Sequence, residues 1–65
     1  MEDFKTRLLD EDTQLEDKII KLRSFLESDK VNTIDPVQHH LLRTQKSAME
    51  AYKNCLTTRL YLLKD

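Results

Sequence analysis

The chain has 65 residues, 35% of them charged and 6% aromatic, with one Pro, one Cys and no Gly. That length gives one small domain, near the size at which a single core is only marginally stabilising and association is a common remedy. The 11 Lys+Arg against 12 Asp+Glu leave a net charge of −1, which argues against a dedicated binder of nucleic acid polymers, and a chain without Gly has little use for phosphate-cradling loops.

Met1 leads into Glu2-Asp3 rather than into a basic segment and an apolar core, so no secretory signal is expected. No apolar run approaches the ~18 residues of a membrane span. Cys55 has no second Cys to bridge to. These features predict a soluble protein of a reducing cytoplasm that needs no cofactor.

The first predicted helix runs from about residue 3 to 28. Leu8, Leu15 and Leu22 recur every seven residues, flanked by Phe4 and Phe25 on one side and Ile19 and Leu26 on the other. Asp12 and Lys18 interrupt the edges of this stripe, and the carboxylates Asp10, Glu11 and Asp12 read as a solvated surface. The helical period fails over residues 29–35, where Asn32 is the residue best able to take a left-handed backbone in a chain without Gly. Asp35 then supplies an N-cap acceptor and Pro36 fits the first helical position. Gln38 stands where a capping box places its reciprocal partner.

The second predicted helix runs from residue 36 to about 63. Leu42, Met49, Leu56 and Leu63 repeat every seven residues, and Leu41, Ala48, Cys55 and Leu62 form a parallel row beside them. One row can face the first helix and the other needs a second molecule. The predicted fold is therefore all-α, an antiparallel two-helix hairpin assembling into an oligomeric helical bundle. Leu42, Met49, Leu56 and Leu63, with the small Ala48 and Cys55, are its expected oligomer interface.

Catalytic chemistry finds little support. His39 and His40 are adjacent and point about 100° apart, whereas helical metal ligands usually sit three or four residues apart. Exposed first-turn histidines are the commoner reading. Cys55 lies mid-helix in an apolar row, where an inert buried thiol is commoner than a nucleophile. No nucleophile–base set or phosphate loop is present, so no enzyme activity is expected. A polar row, Gln45, Tyr52 and Arg59, runs beside the apolar seam. Its bland reading is an edge row in which Arg59 pairs with a carboxylate of another helix. Its functional reading is a recess between subunits, with Arg59 on a phosphate, Gln45 offering its amide and Tyr52 stacking on a base. Lys30, Arg43 and Lys46 are further basic candidates for ligand binding.

The residues Phe25-Leu26-Glu27-Ser28-Asp29-Lys30, Leu41-Leu42-Arg43-Thr44-Gln45, Ala48-Met49, Tyr52, Leu56 and Arg59-Leu60 resemble a family of very small phage-encoded helical hairpins related to a crAss-like phage protein. The stretch Thr44-Gln45-Lys46-Ser47-Ala48-Met49-Glu50-Ala51-Tyr52 is similar in pattern to the hairpin of phage anti-CBASS and Thoeris anti-defence sponges, although no Trp follows Met49 and Tyr52 is the nearest aromatic. The resemblance implies a homo-oligomer in the host-cell cytoplasm. It would sequester a cyclic oligonucleotide or a cyclic ADP-ribose type signal at subunit interfaces without cleaving it. Two other readings stand beside it: a helical adaptor or inhibitor that binds a protein through its second helix, and a structural coiled-coil unit.

Overall fold

Each helix begins where a carboxylate can satisfy free backbone N–H groups. The computed structural model describes residues 3–63, which leaves the Met1-Glu2 opening outside the described residues. In α1 (Phe4–Leu26), the Asp3 carboxylate accepts the Thr6 N–H at 2.8 Å. In α2 (Pro36–Leu62), Asp35 accepts the Val37 N–H at 2.7 Å, and Pro36 occupies the first turn, where no N–H is required. Gln38 does not return the bond that a capping box calls for; its exposed side chain leaves the cap to Asp35 alone.

The connection is a 3₁₀ turn over Asp29–Thr33. Ser28 organises it from both sides: its hydroxyl donates to the Phe25 carbonyl at 2.8 Å and accepts the Lys30 N–H at 3.3 Å. Thr33 closes the turn by donating to the Lys30 carbonyl at 2.7 Å. No described residue has positive φ, so Asn32 does not take the left-handed role expected of it. Tightened i→i+3 bonding reverses the chain by a route that every L-residue tolerates.

Val31 is buried in the turn, and α2 returns antiparallel to α1 in a body of 47 × 18 × 14 Å. Leu8, Leu15, Ile19 and Leu56 form the core, with Met49 and Leu60 packed against it. Leu22, Phe25, Leu26, Ile34 and Leu42 are half-buried around it. Leu42, Met49 and Leu56 therefore line the seam within one hairpin. Leu56 is 0% exposed and has no surface left to offer a second molecule, which corrects its place in the expected oligomer interface. Leu63 is 38% exposed just past α2, and Ala48 and Cys55 are exposed. Cys55 is thus a free surface thiol rather than a buried one.

Lys53 sits on the same inward side of α2 as Met49 and Leu56. Its ammonium meets Asp12 at 3.0 Å and Glu16 at 3.5 Å. Asp12 is consequently half-buried between the arms, not part of a solvated acidic face. A single lysine answers two carboxylates contributed by successive turns of α1.

Candidate functional site

A helix advances about 100° per residue, so residues on either flank of the seam point to opposite faces of a two-helix hairpin. On α2 this separates the candidate residues. Arg43 and Lys46 fall on one flank, and Gln45, Tyr52 and Arg59 fall on the other. Contacts at both ends of the molecule agree with the division.

On the first face, near the bend, lies an open groove of about 510 Å³. Arg23, Leu26 and Glu27 line it from the last turns of α1, and His39, Arg43, Lys46 and Ser47 line it from the first half of α2. Leu26 supplies an apolar floor, half-buried like His39 and Lys46, while Arg23, Glu27, Arg43 and Ser47 stand exposed at the rim. Lys46 is held by an i,i+4 ion pair to Glu50 at 3.2 Å. Three cations, a histidine and a hydroxyl thus line one groove together with Glu27, in a chain whose net charge is −1. Guanidinium groups from both arms can fork onto one oxyanion, and the Ser47 hydroxyl can donate beside them.

On the opposite face, the Arg59 guanidinium lies 5.4 Å from the centroid of the Phe4 ring. Its partner within the chain is aromatic, neither the carboxylate of another helix nor the ligand phosphate that the two sequence readings offered. The Gln45 amide approaches the Met49 sulfur at 3.9 Å, and Tyr52 is 44% exposed. A shallower hollow runs along Asn54, Cys55, Thr58 and Arg59. Lys30 stands exposed in the 3₁₀ turn and lines neither depression. Within one chain the six candidate ligand residues are therefore divided among two faces and the bend.

Reading along the chain passed over Arg23 and took His39 for an exposed first-turn histidine, whereas the structure half-buries it in the groove. Each is unremarkable on its own helix. They meet because the register that sets Lys53 against Asp12 and Glu16 also brings the last turns of α1 beside the first turns of α2. His39 is half-buried in this groove and His40 is exposed. Among the described residues, no group of three or more His, Cys, Asp or Glu is arranged to hold a metal ion, and no helix is long and apolar enough to cross a membrane.

Residues 2–62 match the model of the family described as Sequestin. The chain is also 38% identical over 61 residues to a 7.5 kDa protein from the denB-rIIB intergenic region of Enterobacteria phage T4, with 94% of this chain and 95% of that protein covered. No solved structure matches it.

Proposed function

This chain belongs to the Sequestin family, and on that premise we propose that it is a phage anti-defence sponge: a homo-oligomeric protein that captures a phosphate-bearing nucleotide signal and withholds it intact. The family's name points to sequestration and the T4 relative to a phage setting. The observation that carries the ligand class is the groove, where Arg23 and Arg43 come from different arms and Lys46, His39 and Ser47 stand beside them. A cyclic oligonucleotide or a cyclic ADP-ribose type molecule presents phosphates to the guanidinium groups and a base to the half-buried Leu26 and His39. Ser47 and His39 both line the groove with no hydrogen bond between them, and the cations and donors around them suit capture of a phosphate.

Calorimetric titration with cyclic ADP-ribose and with cyclic di-adenylate tests the reading, followed by recovery of the ligand after heat release. One of the two is expected to bind in the micromolar range or tighter and to be recovered uncleaved. Arg23→Ala and Arg43→Ala are each expected to weaken binding at least tenfold, about 1.4 kcal/mol or more, as loss of a charged hydrogen bond requires. Arg59→Ala, on the far face, is expected to leave affinity unchanged. Failure of both ligands to bind, or undiminished affinity in the Arg23→Ala/Arg43→Ala double variant, would sink the proposal.

A further inference from the structure

The face of α2 opposite the groove carries a row with most of its length uncovered by α1: Leu41, Gln45, Ala48, Tyr52, Cys55 and Arg59, all exposed. The first five are uncharged, and Arg59 at the end is directed onto Phe4. Their spacing alternates four and three residues and reads identically in both directions about a point between Ala48 and Tyr52. A second α2 laid antiparallel along the row therefore meets it in register. Small Ala48 falls opposite bulky Tyr52, Gln45 opposite Cys55, and Leu41 opposite the aliphatic stem of Arg59, each pair occurring twice. Parallel pairing would instead set Tyr52 on Tyr52 and Arg59 on Arg59, with a gap where Ala48 faces Ala48.

We infer that a second copy of this chain docks on this row, antiparallel and isologous, with the two-fold axis passing between Ala48 and Tyr52. Size complementarity and the confinement of charge to one end of the row select a copy of the same helix over an acidic or basic partner. The inference deepens the self-association in the proposed function and rests on that part of it alone. It carries a consequence for the site. The groove lies on the other face of each hairpin, so the pair presents two separate grooves outward, one per chain, instead of one site shared between subunits.

Cross-linking of the full chain tests the arrangement. In an antiparallel pair the two Cys55 residues are offset by ten residues along the axis, about 15 Å, beyond a short bis-maleimide. The thiol introduced by Gln45→Cys lies opposite Cys55 of the second copy. Gln45→Cys is expected to give a covalent dimer, and the unsubstituted chain none. Ala48→Glu, a change at an exposed helical position, is expected to give a monomer of unchanged helix content by light scattering and circular dichroism. Efficient Cys55–Cys55 linkage in the unsubstituted chain, or a dimer surviving Ala48→Glu, would overturn the pairing. Titration of the same samples with cyclic ADP-ribose and cyclic di-adenylate separates the two claims. Cross-linking without binding removes the sponge and leaves the pairing; binding without cross-linking does the reverse.

Discussion

Lys53 shows how one side chain decides the register of the hairpin. Its ammonium reaches Asp12 at 3.0 Å and Glu16 at 3.5 Å, in a seam otherwise lined by Leu15, Ile19, Met49 and Leu56. Sliding α2 by one turn would leave Lys53 with at most one of its two carboxylates, so the cluster favours this register over its neighbours. Asp12→Asn is expected to cost about 1 kcal/mol in urea unfolding, because Glu16 still answers the lysine. The Asp12→Leu/Lys53→Leu double variant is expected to be at least as stable as the parent but to populate several assembly sizes in native mass spectrometry. A single species there would deny the cluster its role in register. Hydrogen bonding to Asp12 raises the Lys53 pKa above the usual lysine value of 10.5. The pair's contribution is thus complete below pH 10.5 and is lost as pH rises through the folded-state value. The stability gap between the parent chain and Lys53→Met should accordingly be constant from pH 7 to 9.5 and close above about pH 10.5. Asp3 behaves in the opposite sense. The Thr6 N–H holds its carboxyl below the usual 3.8, so the cap's contribution is present above that pH and fades as pH falls through the folded-state value.

At the scale of the element, local chemistry was legible in the sequence and pairing between helices was not. The Asp35-Pro36 start needs only its own residues, and the structure forms that cap with Asp35. Asp35→Ala is expected to cost about 1 kcal/mol and to fray the first turn of α2, read as faster amide exchange there. The choice of α2 row for the seam could not be made from α2 alone. Leu42-Met49-Leu56 and Leu41-Ala48-Cys55 are both apolar, and only the position of α1 distinguishes them. The row with the larger side chains turned inward and the row with the small residues turned out, contrary to the burial expected of Cys55. Asp12 reads as part of a solvated surface until the arms are brought together and Lys53 meets it, and Arg23 and His39 join the groove for the same reason. The rows differ sharply in what they carry energetically. Leu56→Ala opens a void in a core of four buried side chains and is expected to cost about 2–5 kcal/mol. In a chain this small that is enough to abolish the cooperative unfolding transition. Cys55→Ser, on the exposed row, is expected to leave intrachain folding unchanged.

For the whole molecule, shape and core size set what one chain can do alone. A body of 47 × 18 × 14 Å is long and thin, and most of each helix remains in contact with water. Four core side chains and Val31 leave an isolated hairpin close to the folding threshold. Exposed Leu41 and Tyr52 supply the apolar area that a second copy can remove from water. If pairing and folding are coupled in this way, stability must depend on protein concentration. For a two-fold pair, a hundredfold dilution removes about 2.7 kcal/mol per dimer, or roughly 1.4 kcal/mol per chain. For a domain of this size that corresponds to a fall of about 5–10 °C in the unfolding midpoint. Thermal melts followed by circular dichroism at 1 μM and 100 μM should show that difference in the parent chain. Ala48→Glu should melt at the lower temperature at both concentrations. A midpoint that does not move with dilution in the parent chain would mean that one hairpin is self-sufficient and that its uncharged row has another use. The concentration-dependent result, with its loss in Ala48→Glu, would support pairing through the far face, an arrangement that stabilises each hairpin while leaving the groove residues Arg23, Arg43 and Lys46 uncovered.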